Sequence, residues 1–286
     1  MPSSTPIQTP PAAPTEYILG TGDTESTRLG LQHRLWSASA HNLWERAAIR
    51  PGMSILDVGC GPGHGSIDLA QIVGPTGRIY AVDESPLFLK HLHDRLAGLH
   101  LKNIDRILGD AQQLPALLPS LASRIDIAYC RWVLCFVPDP EAVIRGVASL
   151  LKPGGRFAIQ DYFNYESMTI APRKEAFSRV IRAVGKSWRT RGGDPDIISR
   201  IPALFRKHGL ELTHLAVNER VAQPHSSMWA WPDAFWASYL PRLVEMGEIT
   251  REEQKAFEAC WSEASDNPDS FMLLPPVFEG VGVKTA

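Results

Sequence analysis

The amino-acid sequence predicts an α/β fold, a mostly parallel sheet with helices on both faces, extended by a helical cap. Three observations carry that expectation. Apolar runs at 53–58, 78–82, 104–108, 125–130 and 156–160 alternate with stretches of helical character, the βαβ pattern of a parallel sheet. The first run, Met53 to Val58, enters a glycine-rich turn, Gly59-Cys60-Gly61-Pro62-Gly63, and then a helical segment from His64 to Ile72. The second run is closed by Asp83, an acid at the strand end where such sheets bind ligands.

Taken in chain order, residues 1–14 carry prolines at 2, 6, 10, 11 and 14 and read as a disordered tail. Residues 15–50 read as a helical lid. Tyr17-Ile18-Leu19-Gly20 leads into a helix from Thr24 to Ala40 on which Glu25, Arg28, Leu29, Gln32 and Trp36 share a face. A second helix, His41 to Ala48, ends before Pro51-Gly52. Residues 51–163 form the ligand-binding core. Its clearest helices run from Pro86 to Leu96, with Ser85 as N-cap and proline at the first helical position, and from Pro140 to Leu151. Residues 164–286 hold helical insertions and the last strands. A helix is expected over Ala171 to Trp188, and Asp194-Pro195 reads as the N-cap and first residue of a helix to Lys207. A strand follows over Leu210 to Val221, then a long interval, 222–272, and a last strand near Pro276 to Val283.

The glycine turn and Asp83 imply an adenosine-containing ligand. Glycines allow positive φ and a close approach of backbone to ligand. The helix start beyond the turn offers unpaired N–H groups, and an acid after the second strand can take both ribose hydroxyls. The glycines fall as G-x-G-x-G rather than the G-x-G-x-x-G typical of nicotinamide folds, Asp57 stands two residues before the first of them, and no Tyr-x-x-x-Lys pair is present. An NAD(P)-dependent oxidoreductase is therefore the weaker alternative.

Several segments resemble the class I S-adenosylmethionine-dependent methyltransferases of small-molecule type. Leu56-Asp57-Val58-Gly59-Cys60-Gly61-Pro62-Gly63 is similar to their first motif, Val82-Asp83 to their ribose-binding acid, and Gly109-Asp110-Ala111-Gln112-Gln113-Leu114-Pro115 to their adenine loop. Asp126 to Arg131 resembles their fourth strand, and Leu150 to Gly155 the turn before the fifth. The resemblance implies a Rossmann-like seven-stranded sheet with the last strand antiparallel, and S-adenosyl-L-methionine as cofactor. It implies that Asp57, Gly59 and Gly61 meet the methionine portion, Asp83 with Glu84 the ribose, and Asp110 with the Ala111 N–H the adenine. Arg131 is then expected near the cofactor carboxylate, with Tyr17 and Gln32 closing over it. The opening Tyr-x-Leu-Gly and Glu-x-x-Arg-Leu-x-x-Gln of many small-molecule members is matched at Tyr17, Gly20, Glu25, Arg28, Leu29 and Gln32.

For a general base, His33 on the lid helix and Asp161 at the end of the fifth strand are the candidates. His91 and His93 stand at i, i+2, the wrong spacing for a metal pair, and no metal is expected. Arg179, Arg182, Lys186 and Arg189 form a stripe that could steer an anionic substrate or be a solvated helix face. Trp229, Trp231, Phe235, Trp236 and Tyr239 could line an aromatic pocket or form the core of the cap. A net charge of −2 over 286 residues gives no broad cationic field for nucleic acid or an anionic membrane surface. Four cysteines without CxxC spacing, no apolar membrane-length run and no signal-peptide pattern fit a cytoplasmic protein. The expectation is methyl transfer to a small molecule, possible at oxygen, carbon or nitrogen with oxygen slightly ahead; a non-catalytic cofactor-binding scaffold is a further alternative.

Overall fold

Ser54–Val58 (β1) is an interior strand of the main sheet, and its composition follows from that place. Leu56 and Val58 join the apolar core on one face, while Ile55 joins that on the other, so both faces must be apolar. The structure is a computed structural model that describes residues 18–285; Tyr17 and the expected 1–14 tail lie outside the described residues. In chain order the first elements are α1 (Asp23–Arg46), β1, α2 (His64–Val73), β2 (Arg78–Asp83), α3 (Pro86–Leu99) and β3 (Ile104–Leu108). There follow α4 (Leu114–Leu117), β4 (Ile125–Arg131), α5 (Pro140–Leu150), β5 (Leu151–Tyr162), β6 (Thr169–Ala171), α6 (Glu175–Thr190) and α7 (Ile201–Lys207). The chain ends with β7 (Leu210–Asn218), β8 (Val221–Ala222), α8 (Ala230–Glu245), α9 (Arg251–Asp266), β9 (Phe271–Leu273) and β10 (Val277–Lys284).

The main sheet has seven strands in the order β3-β2-β1-β4-β5-β10-β7. Strands β1 to β5 pair parallel, and β10 runs antiparallel between β5 and β7, as expected for the last strand. The strand order reverses between β1 and β4, so the crevice beyond Val58 and Arg131 is the topological switch point. Local signals hold the intervening helices in place. Ser85 Oγ accepts from Phe88 N (3.2 Å), and Asp139 Oδ1 from Ala142 N (3.0 Å), each just before a proline at the helix start.

Four expectations change. The N-terminal lid is one 24-residue helix rather than two, because the buried stripe Trp36, Ala40, Leu43 and Trp44 runs across residues 40–41 onto the sheet. Helix α6 begins at Glu175, since Ala171 precedes proline and is held extended in β6. Asp194 does not cap a helix to Lys207; its Oδ1 accepts from Asp196 N (3.0 Å) in a tight turn, and Pro202, which has no N–H, confines the α-helical run to α7. The strand expected to reach Val221 stops at Asn218, and Val221–Ala222 joins a second, three-stranded antiparallel sheet, β6-β9-β8. Its strand β6 contacts α6, which packs with α8 and α9 to form the cap.

Candidate active site

Gly59, Gly61 and Gly63 all have positive φ (66°, 55° and 80°), which lets the chain reverse from β1 into α2 within five residues. At Gly59 there is a second constraint, because a Cβ would lie 2.3 Å from Val133 Cγ2. Asp83, at the end of β2, grips this turn. Its Oδ2 accepts from Gly61 N (2.7 Å) and its Oδ1 from Ser85 N (2.9 Å), leaving lone pairs on both oxygens for a ligand. Burial raises the Asp83 carboxyl above its usual range against these two N–H groups; Glu84 is raised by burial and by the charges of Asp83 and Asp110. Asp110 caps the short turn that follows it, accepting from Gln112 N (2.8 Å), and Gln112 in turn takes Asp139 N (2.9 Å).

At the other end of the crevice, Asp57 is pushed up to about 6 by burial, although Ser66 Oγ donates to its Oδ2 at 2.5 Å. Arg131 leaves β4 and donates from Nη2 to His33 Nδ1 (2.9 Å), while His33 Nε2 meets Asp68 Oδ2 (2.9 Å). Arg131 Nη1 is buried without a hydrogen-bond partner among the described residues. Gln32, His33, Asp57, Gly59, Gly61, Asp83, Glu84, Asp110, Ala111 and Arg131 all line one cavity of about 630 Å³. Sequence reading thus gathered ten residues, from five separate segments, that the fold brings to one crevice.

A second, smaller cavity of about 40 Å³ lies under the cap. Gln32, Trp132, Phe136 and Trp188 border both cavities. Trp132 holds φ at +53°, a left-handed conformation unfavourable for a bulky residue, and it sits between the two spaces. Tyr162, Tyr165, Trp231, Phe235 and Trp236 supply the aromatic part of the remaining inner wall. Gln32 Oε1 accepts from Trp231 Nε1 (2.8 Å) and Arg28 Nη1 (3.0 Å), and Arg28 is held by Glu25 in a two-pronged ion pair (2.7 Å each). The buried Trp132 and Trp236 indole N–H groups have no partner among the described residues. The aromatic cluster of the C-terminal region therefore divides its work: Phe235 faces the cavity, Trp229 and Tyr239 belong to the cap core, and Trp231 and Trp236 serve both.

Both candidate bases are engaged by other groups. Asp161 is 1% exposed and lines neither cavity. Its Oδ1 accepts from Tyr162 N (2.9 Å) and its Oδ2 from Cys135 N (3.2 Å), so it fastens the segment after β4 to β5. His33 lines the larger cavity, but Arg131 is always a donor, so the Nδ1 lone pair is already used and the proton sits on Nε2 toward Asp68. The basic stripe on α6 is likewise consumed: Arg179 pairs with Glu253, Arg182 with Glu175, Lys186 with Glu248, and Arg189 with Glu166 and Asp196. Sequence reading missed Asp68, Trp132, Tyr162 and Tyr165 as site residues. Nothing local marks them, since each acquires its place through contacts across the fold.

Residues 49–189 match a family model described as a methyltransferase domain. The demethylmenaquinone methyltransferase of Desulfitobacterium hafniense is 29% identical over 182 residues, 60% of this chain and 69% of that protein. The ubiquinone/menaquinone biosynthesis C-methyltransferase UbiE of Pseudomonas savastanoi is 29% identical over 54% of this chain, which spans only 60% of that relative's length. Among solved structures, a putative methyltransferase from Bacillus halodurans shares the fold, with a TM-score of 0.59 and 19% identity over 86% of this chain and 98% of that one. These matches displace the oxidoreductase alternative. Together with the sheet order and the glycine crevice, they mark residues 49–189 as a methyltransferase domain with S-adenosylmethionine as its cofactor.

Proposed function

We propose that this enzyme methylates a carbon atom of a small, planar, oxygen-bearing acceptor held in the aromatic cavity under the cap. The observation that carries this reading is the common wall of the two cavities, Gln32, Trp132, Phe136 and Trp188, which sets an acceptor beside the cofactor crevice. The crevice suits the cofactor. Arg131 Nη1 is a buried donor without an acceptor, matched to a carboxylate, and Asp57 is an acceptor for an α-amino group. Asp83 and Glu84 are assigned to the ribose hydroxyls, Asp110 and the Ala111 N–H to the adenine edge, and the Gln32 amide to the boundary with the acceptor.

When bound, the sulfonium cofactor supplies an electrophilic methyl group for in-line displacement. The protein's own contribution is alignment and exclusion of water. Among the described residues the inner cavity is lined by no histidine, aspartate or glutamate. Burial also holds the Tyr162 and Tyr165 hydroxyls far above the usual tyrosine range, so they serve as donors, not bases. That wall suits an acceptor whose nucleophile is already activated. A phenolate attacks through its ortho carbon, and the ring proton then moves to the oxygen as aromaticity returns, so no protein base is required. The names of the relatives, which specify C-methylation or a menaquinone precursor, support carbon over the oxygen favoured by sequence alone.

The test joins binding to product analysis. S-adenosylhomocysteine is titrated into the protein and an Asp83→Ala variant, whose loss of a charge-assisted contact should weaken binding by roughly 2 kcal/mol, more than tenfold. Labelled cofactor is then incubated with hydroxylated naphthalenes and benzoquinols, and the methyl position is read by NMR. A carbon-bound methyl is expected. An oxygen-bound methyl overturns the carbon assignment, and tight homocysteine-nucleoside binding with no turnover across the panel favours the scaffold reading instead.

A further inference from the structure

Arg131 is not left to find its own direction. Its Nη2 donates to His33 Nδ1 (2.9 Å), and His33 Nε2 is 2.9 Å from Asp68 Oδ2. Three groups from three elements, α2, α1 and β4, thus form one chain that ends in the cofactor crevice. The chemistry allows a single arrangement of protons. A guanidinium has no lone pair, so Nδ1 must accept; the imidazole proton therefore occupies Nε2, where the Asp68 carboxylate receives it. The ring plane is set as well. His33 stacks on His64 with centroids 5.4 Å apart and planes at 21°, and His64 is fixed by Arg95 Nη1 donating to its Nδ1 (2.8 Å). On the far side the Arg131 guanidinium lies 5.1 Å from the Trp132 ring. The guanidinium thus lies among His33, Trp132 and the Tyr129 ring (6.0 Å), and its buried Nη1 has no hydrogen-bond partner among the described residues.

From this geometry we infer that Asp68 and His33 are positioning residues, which hold Arg131 so that its unused N–H groups recognise the carboxylate of the cofactor's methionyl end. The inference rests on the proposed assignment of Arg131 to that carboxylate and adds what makes the assignment selective. A free arginine at the rim would have to be ordered at each binding event, whereas one fastened at Nη2 presents the remaining donors already oriented. The device discriminates between ligands that share the adenosine and differ at the carboxylate. It also explains why an apparently well-placed histidine is not the base: its lone pair is spent on arginine.

The experiment compares S-adenosylhomocysteine with 5′-methylthioadenosine, which keeps the adenosine and sulfur but lacks the amino-acid end. Calorimetric titration is run on the full chain and on His33→Leu, His33→Gln and Asp68→Ala, with thermal melts reporting folding. The wild type should favour S-adenosylhomocysteine. His33→Leu should lose roughly tenfold in affinity for that ligand alone. His33→Gln, whose side-chain oxygen can accept from Arg131, should recover most of the loss, and Asp68→Ala should show a smaller loss confined to the same ligand. Equal losses for both ligands, no loss in His33→Leu, or no recovery in His33→Gln would overturn the positioning role. Failure of the wild type to prefer S-adenosylhomocysteine would instead overturn the Arg131 assignment, and with it this inference, so the two failures are told apart by the unmutated protein. Because Asp68 is partly exposed, its variant keeps the comparison alive even if the buried His33→Leu protein does not fold.

Discussion

Replacing Gly59 by alanine tests the glycine crevice at the point where two separate constraints meet. The residue sits at φ +66°, a region that costs an L-residue about 1–2 kcal/mol. The added methyl would also lie 2.3 Å from Val133 Cγ2, 3.2 Å from Cγ1 and 3.3 Å from Cβ. A β-branched side chain has no alternative rotamer that clears all three atoms, so the overlap must be relieved by backbone movement, which in packed regions costs about 1–3 kcal/mol. The sum is roughly 2–5 kcal/mol. Urea unfolding of Gly59→Ala, Val133→Ala and the double variant separates the parts. Val133→Ala alone should cost about 1 kcal/mol, as it removes a half-buried side chain. In the double variant the steric share disappears, so the cycle should show coupling of about 1–3 kcal/mol while the φ share persists. S-adenosylhomocysteine affinity should fall in the single variant and recover in part in the double. Coupling near zero would mean that the turn yields freely and that Val133 does not fix the path of the backbone.

Two further outcomes follow from charge. His64 is pushed down to about 3 by burial and then by Arg95, His33, Arg131 and Arg34, so below the ordinary histidine range protons favour the unfolded chain. Asp57 and Asp161, pushed up to about 6 chiefly by burial, act oppositely: their folded forms bind protons more tightly, and stability is gained as pH falls through 6. Between pH 7.5 and 5.5 the His64 share amounts to about 1.5 kcal/mol, so His64→Gln should gain about that much stability relative to the wild type, as read from urea midpoints at the two pH values; the same pH dependence in both proteins would refute the reasoning. Arg179→Gln breaks a half-exposed pair with Glu253 and should cost at most about 1 kcal/mol of stability. Its acceptor KM should be unchanged, and a large rise would restore the basic stripe as an anion-steering surface.

The core of the fold was legible because its determinants are local or periodic. The Ser85-Pro86 and Asp139-Pro140 starts announce their helices, and the glycine turn announces the crevice through φ values that few other residues adopt. The cap was less legible for a physical reason. Strands of two or three residues, such as β8 and β9, are too short to show a period, and they are held by pairing with one another and by the burial of Ala222 and Met272 in the apolar core. Even so, Thr250 and Glu253 form a reciprocal capping box whose spacing marks the start of α9 in the sequence itself. The acceptor cavity was legible only as a composition. Its aromatic residues come from segments as far apart as Trp132 and Trp236, and which of them face the cavity is decided by how the cap closes.

Gln32 and His33 show why the N-terminal helix belongs to the active site rather than merely covering it. Successive helical residues point about 100° apart, so a helix lying along the boundary of two cavities can serve both with adjacent side chains. Gln32 engages Arg28 and Trp231 on the acceptor side, and His33 engages Arg131 on the cofactor side. Trp231 belongs to α8, so the same glutamine also ties the lid to the cap, and Arg242 Nη1, donating to Ile18 O (2.9 Å), ties them a second time. A cavity of about 40 Å³ is smaller than an aromatic ring system, so the proposed acceptor requires some of its walls, to which α1 and α8 both contribute, to move apart. Movement of α8 away from α1 would break the Gln32–Trp231 bond, one residue from the histidine that contacts Arg131. On the proposed assignments, acceptor entry and the recognition of the cofactor's carboxylate then meet at neighbouring residues of α1, and a cofactor bound through Arg131 would hold α1 in place while α8 moves.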